Sequence, residues 1–326
     1  MILYPIALGV GCASGDAPRD IVSDTGPLDL TEDYPLPTGE GVQLATPDLL
    51  VPAHSERLFC YYGSFGAEDV AVTGLVGYQV MPYNHHNQVK MAPDDAPPDG
   101  TVAECPGGEE MLSYKPFVDG VPPFDMPGGA PYAGNEQGNF MALPPGYAVK
   151  LPANRRWVID THYVNTTDRD ILVNSAINLG FTDISTVTRW VSAVQLDTGE
   201  FGIPPGRYSL PWDCAWPMDL EILVVSSHMH GRGTSFAVDY LHDDTSERIH
   251  EVTDWTDDYR VYPRMDVWDP GTFLVKAGEV FRTTCDWYNE TDETLGFPDE
   301  MGTALVMAAP LEEPLGCYAG AWGEAH

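Results

Sequence analysis

Prolines and glycines punctuate this chain so evenly that a long helix has nowhere to run: 29 Pro and 32 Gly are spread over 326 residues. Proline removes a helical hydrogen bond and clashes with the turn before it, while glycine marks turns and bulges. Between the breaks lie short runs rich in β-branched and aromatic residues. The pattern therefore predicts an all-β fold of short strands joined by turns. Strands are expected at 71–80, 146–151, 156–164 and 170–179, and again at 221–227, 235–241, 271–275, 280–286 and 304–308. The segment 90–140 is dominated by Pro-Pro and Pro-Gly-Gly turns and reads as a long loop. No repeat is evident along the sequence.

At this length the chain suits two domains, and 43% hydrophobic residues suffice for real cores. The expected division is a leader and acidic tether over 1–45, a first domain over 46–187 and a second over 188–326. A formal charge of -33, from 49 acidic against 16 basic residues, excludes nucleic acid and anionic membrane as partners, because both would repel it. The apolar run 1–11 is too short to span a bilayer. It ends at Cys12 followed by Ala-Ser-Gly-Asp, which resembles the end of a bacterial lipoprotein signal. Cys12 is then the expected lipid anchor, and the protein is expected to be an exported monomer of the cell envelope or extracellular space.

The chemistry-bearing residues are histidines. The apolar run 220–225 leads into Ser227-His228-Met229-His230-Gly231-Arg232-Gly233. Side chains at i and i+2 of a strand share a face, so His228 and His230 converge on one point, as two imidazoles must to bind one metal ion. Three more histidines stand in two further strand-like contexts, His85-His86 after Pro82-Tyr83-Asn84 and His162 in Asp160-Thr161-His162-Tyr163. Adjacent residues on a regular strand face opposite ways, so His85 and His86 meet one ion only at a bulge, a strand end or a turn. Pro82, Asn84 and Asn87 favour such an irregularity. A methionine follows in Asp299-Glu300-Met301-Gly302. His54, His242, His250 and His326 have no partner pattern and read as surface residues. No P-loop, dinucleotide fingerprint, Cys-x-x-Cys or Ser/His/Asp motif competes.

His-His, then His-Tyr-x-Asn, then His-x-His-x-x-Gly, then Asp-Glu-Met, in this order, resembles the copper type II ascorbate-dependent monooxygenases, the group of peptidylglycine α-hydroxylating monooxygenase and dopamine β-monooxygenase. The resemblance runs from about Val51 to Cys317. It implies two tandem antiparallel β-sandwich domains of jelly-roll type. It also implies two copper ions, one on His85, His86 and His162 for electron storage and one on His228, His230 and Met301 for O2 activation, facing each other across the gap between domains. Ascorbate or another one-electron donor would reduce both, and a C–H bond of a small-molecule substrate would become C–OH. A thioether is a soft ligand that favours copper over zinc, with Met307 as the rival to Met301; the three-histidine set also suits zinc. In the family a bridge closes the second domain between positions like Cys214 and Cys317. Cys60 and Cys105 are candidates for a first-domain bridge. Cys285 matches a family cysteine whose partner follows the ligand methionine, a place held here by Gly302.

This chain departs from the peptidylglycine enzymes where they hold the substrate carboxylate. An arginine two residues before His-x-His, and an asparagine and a tyrosine two and four residues after the methionine, are here Ser226, Thr303 and Leu305. The bidentate fork is gone, so a peptide ending in glycine is not the expected substrate. Ser226 and Leu305 suggest a pocket for a neutral or apolar group, with Arg232 as a possible replacement cation. The alternative reading is a non-catalytic copper-binding surface protein with the same ligands. A β-sandwich with incidental histidines is the third.

Overall fold

The computed structural model describes residues 26–80, 83–105, 126–127, 140–256, 259, 263–297 and 299–323. Cys12, His326 and most of the loop 90–140 lie outside the described residues. The first half of the chain holds β1 (Leu28–Asp29), β2 (Gly41–Ala45), β3 (Leu49–Val51), β4 (Ser55–Ser64), β5 (Val70–Gln79), β6 (Asn84–Met91), β7 (Val102–Glu104), β8 (Met126–Pro127), β9 (Phe140–Ala142), β10 (Tyr147–Leu151), β11 (Arg156–Asn165), β12 (Ile171–Val173) and β13 (Ser175–Thr182). A 3-10 turn at Ile184–Thr186 and β14 (Arg189–Trp190) lead into the second half. There follow β15 (Ser192–Asp197), β16 (Gly206–Ala215), β17 (Leu220–Met229), β18 (Gly233–His242), β19 (Thr245–Val252), β20 (Met265–Val267), β21 (Leu274–Val275), β22 (Val280–Asn289), β23 (Gly302–Ala309), β24 (Leu315–Tyr318) and β25 (Ala321–Gly323). The expected all-β class is what the chain adopts.

Two sandwiches result. In the first, a sheet ordered β14-β10-β5-β13-β2 packs on one ordered β7-β4-β11-β6-β8; in the second, β20-β17-β23-β15-β24-β25 packs on β16-β22-β18-β19. β22 shows how sequence produces such a layer. Phe281, Thr283, Cys285, Trp287 and Asn289 alternate inward with more exposed residues between them, the period-2 pattern of a strand buried on one face. β17 differs, being buried along nearly its whole length. Its inner face, Leu220, Ile222, Val225 and Met229, joins the core of the second sandwich. A register shift between Ile222 and Val224 puts Leu223 and Val224 together on the outer face, where they meet the core of the first sandwich along with Met307 and Ala309 of β23. The two sandwiches therefore share one continuous apolar cluster. Across the same interface Tyr147 Oη donates to Glu221 at 2.9 Å.

The sandwiches also share a topology. Strands β2, β4, β5, β6, β10, β11 and β13 recur in the same order as β15, β16, β17, β18, β21, β22 and β23, giving β10-β5-β13-β2 beside β21-β17-β23-β15 and β4-β11-β6 beside β16-β22-β18. The corners after β11 and β22 match atom for atom. Asn165 Oδ1 accepts from Thr167 N and Oγ1 while its Nδ2 donates to the carbonyl of Arg169. Asn289, Thr291 and Glu293 repeat those bonds. The repeat that the sequence conceals is thus present in space: strand pairing conserves backbone register, while only an Asn-x-Thr-Asp corner survives in side chains.

The acidic stretch read as a tether supplies β1 and β2. β2 pairs with β13 from Ala45–Ala176 to Gly41–Gly180, and Leu44 reaches the core, so ordered structure begins well before residue 46. Its apolar positions, Val42 and Leu44, are diluted by the surrounding Pro, Gly and acidic residues, which is why composition alone hides the strand. Cys60 is bonded to Cys105 and Cys214 to Cys317, and Cys285 is a buried free thiol. A Cβ added at Gly302 would stand 2.8 Å from Cys285 Sγ, so position 302 abuts the free thiol but carries no sulfur.

Candidate metal centres

The second set of histidines is built at the end of β17. The ladder to β23 registers His228 with Thr303 and Met229 with Gly302, so Met301 arrives from the facing strand just where β17 reaches His230. His228 follows Leu223, Val224 and Ser226 on the outer face, the face that carries Met307 under the first sandwich further along. The two imidazole centres are 5.4 Å apart with the rings at 86°. Two imidazoles sharing one ion at ~2 Å per bond put their ring centres roughly 5 Å apart, so this spacing fits a common ion. His230 Nδ1 donates to the Asp299 carbonyl at 3.2 Å, because a carbonyl only accepts. Glu300, fully buried, accepts from the Arg232 backbone N–H at 2.9 Å and so pins the Asp-Glu-Met segment to the His-x-His turn. Met301 is half-buried, whereas its rival Met307 is sealed in the interface core.

The first set is arranged differently. His162 on β11 is registered opposite His86 on β6, and the ladder then shifts so that Tyr163 faces Asn84. His85 is the extra residue, so the irregularity that adjacent histidines require is present as a β-bulge. The side chains of His85 and His86 lie outside the described residues. His162 Nε2 meets Glu56 Oε1 at 2.7 Å. A carboxylate on one ring nitrogen orients the imidazole, as the outer partners of metal-binding histidines do. Further along the outer face of the same sheet lies a buried ion pair, Lys90 Nζ to Asp160 Oδ2 at 2.8 Å. Among the described residues, no group of three or more His, Cys, Asp and Glu side chains is poised to hold a metal; the second set has two such residues and a thioether.

His250 corrects the sequence reading. It is buried, not on the surface, and it completes a Ser-His-Asp chain that the sequence pattern did not disclose: Asp266 Oδ2 lies 2.7 Å from Nδ1 and Ser227 Oγ lies 3.0 Å from Nε2. The three residues come from β17, β19 and β20, and no spacing rule links them. Burial pushes the His250 pKa down, with Asp266 acting in the opposite direction. Of the other two described histidines outside the candidate sets, His54 is exposed beside Asp168, and His242 stacks on Tyr240 with ring centres 4.2 Å apart.

No protein-family model and no curated protein matches the sequence. Among solved structures, N-glycanase F (PNGase F) aligns over 84% of this chain and 96% of its own, at 9% identity and a TM-score of 0.38. The infectious bursal disease virus Gt strain structure aligns over 87% and 75%, at 8% identity and a TM-score of 0.19. Likenesses this faint carry no argument about what the chain does. Two disulfides are compatible with an exported protein, and among the described residues no helix is long and apolar enough to cross a membrane.

Proposed function

We propose that this protein is a copper-dependent monooxygenase that hydroxylates a C–H bond of a small neutral molecule with O2 and a one-electron donor such as ascorbate. The observation that carries the reading is the strand-end cluster: His228 and His230 with ring centres 5.4 Å apart, and Met301 delivered by the facing strand. Two imidazoles with a thioether form a soft, neutral donor set suited to an ion that cycles between Cu(I) and Cu(II). When bound, copper supplies the one-electron chemistry that lets O2 attack carbon.

The chain's own residues do the rest. His228 and His230 would hold the ion, and the Asp299 carbonyl, accepting from Nδ1, orients the His230 ring. Glu56 orients the His162 ring, which with His85 and His86 would make the electron-storing set. Ser226 and Leu305 are registered on each other and Thr303 on His228, with Ser226 and Thr303 both buried. None of the three is a cation, so a carboxylate finds no bidentate partner among them and a neutral group is favoured. The lipoprotein reading of Cys12 adds an anchor at the cell envelope.

The test is metal analysis and turnover. Full-length protein loaded with copper should bind two ions and consume O2 with ascorbate when a substrate is present. Met301→Ile should weaken Cu(I) binding at one site, more than it weakens Cu(II), because the thioether favours the reduced ion. A reduced-copper X-ray absorption spectrum identical in Met301→Ile and the parent would remove the thioether from the reading. Two bound coppers without ascorbate-dependent O2 consumption across a panel of C–H substrates would leave a copper-binding protein instead.

A further inference from the structure

The proposed reaction does not use the chain Ser227, His250 and Asp266. Its distances are those of a hydrolytic triad, yet Ser227 is 0% exposed and lies on the inner face of β17 between Val225 and Met229. A nucleophile must touch its substrate, and nothing can reach this hydroxyl. The chain must therefore be explained by what it holds.

Every hydrogen in it has a fixed direction. The Asp266 carboxylate only accepts, so His250 Nδ1 carries the ring proton; Nε2 then accepts, and the Ser227 hydroxyl donates to it. Burial keeps the ring in that singly protonated form. The chain also crosses the sandwich. Ser227 and Asp266 belong to the sheet of β17 and β20, where Asp266 is registered on Val225, while His250 belongs to the opposite sheet through β18. It ties the two layers together one residue before His228. Successive side chains on a strand point to opposite faces, so anchoring Ser227 inward sets the rotation at which His228 leaves the outer face.

We infer that Ser227, His250 and Asp266 form a positioning chain that aims His228 at the metal from the far side of its own strand. The inference rests on the copper reading, but part of its test needs no metal. The variants are the pair Ser227→Ala with His250→Phe, and His250→Gln alone. Replacing both partners of a buried hydrogen bond by apolar groups of similar shape is nearly neutral for stability, so the double variant should fold, while glutamine restores an acceptor for Ser227.

In metal-free protein, nitrogen NMR of the histidine rings should show one sharp His228 signal in the parent, a shifted or broadened one in the double variant, and recovery in His250→Gln. In copper-loaded protein, competition with a chelator should show about tenfold weaker binding at one site in the double variant, the scale expected for loss of an orienting partner, with an altered Cu(II) electron paramagnetic resonance signal. A folded double variant with an unchanged His228 signal would reduce the chain to a satisfied polar pair in a core and overturn the inference, whatever copper does. Failure of the parent to bind copper, with the His228 signal still responding, would overturn the metal half of the inference together with the proposed function. Labelling of Ser227 by a fluorophosphonate in the native protein would also overturn it, in favour of acyl transfer.

Discussion

The two sandwiches repeat one strand order but place their histidines at different points of it. Three residues before the shared corner asparagine stand His162 in β11 and Asp286 in β22. The strand that pairs there brings His86 to His162 in the first sandwich and Ser235 to Asp286 in the second, where Ser235 Oγ donates to Asp286 Oδ2. Conversely, the strand end that carries His228 opposite Thr303 has its counterpart at Tyr78 opposite Ala176. There Tyr34 of the N-terminal segment stacks on Tyr78, with ring centres 5.4 Å apart, and covers the face. One backbone frame therefore offers at least two places for imidazoles, and each sandwich fills a different one. Topology repeats because register and burial are satisfied by many side chains; chemistry does not, because it needs particular ones.

The largest test of this comparison removes one disulfide at a time. Cys214–Cys317 closes a longer loop than Cys60–Cys105, with sequence separations of 103 and 45. The chain-entropy model gives about 4.7 and about 4.0 kcal/mol respectively, so replacing either pair with alanine should cost several kcal/mol in a denaturant titration, the second sandwich losing more. A larger loss from the Cys60–Cys105 pair would mean that the first sandwich depends on its bridge for something beyond loop closure.

The corners come next. Asn165 Nδ2 donates to the carbonyls of Val51, Pro52 and Arg169, whereas Asn289 Nδ2 donates to those of Ile203 and Glu293. Each alanine variant should be destabilised by about 1–3 kcal/mol from carbonyls left without a partner, Asn165→Ala more than Asn289→Ala. Equal losses would show that the third acceptor contributes nothing.

Gly302 marks the next difference, since a side chain there would meet Cys285 Sγ at 2.8 Å and Trp287 Cζ2 at 2.9 Å. Gly302→Ala should cost about 1–3 kcal/mol by overpacking. Gly302→Cys should instead close a bridge to Cys285, found by mapping the non-reduced protein. In the parent, burial pushes the Cys285 thiol pKa well above its usual value, so it should resist alkylation until the chain unfolds.

The smallest expected effect is a pH dependence confined to the second sandwich. The folded His250 has a pKa below its ordinary 6.5. As pH falls through 6.5 the unfolded chain binds a proton that the folded chain refuses, so stability declines from there until the lowered folded pKa is reached; above 6.5 this ring adds no slope. His250→Phe should flatten that part of the curve, read as melting temperature against pH. A slope unchanged in the variant would assign it to another group.

The strands around the candidate sites were legible because burial on one face imprints a period of two and a β-branched bias. The runs expected at 71–80 and 280–286 appear as Val70–Gln79 and Val280–Asn289. β2 and β16 were not foreseen, since Pro, Gly and acidic neighbours blur their pattern. The pairing of His228 with His230 was readable from spacing, being local to the end of one strand. So was the need for a bulge at His85 and His86, which the ladder supplies.

What the sequence determined by itself, then, is the class of fold and a set of candidate ligands, because both depend on short-range periodicity and on the chemistry of single side chains. The delivery of Met301 to the His-x-His turn, the burial of His250 between Ser227 and Asp266, and the hidden repeat of the two sandwiches were decided only in three dimensions. Each depends on which distant strands pair and in what register, and that is set by long-range burial, which no local pattern encodes.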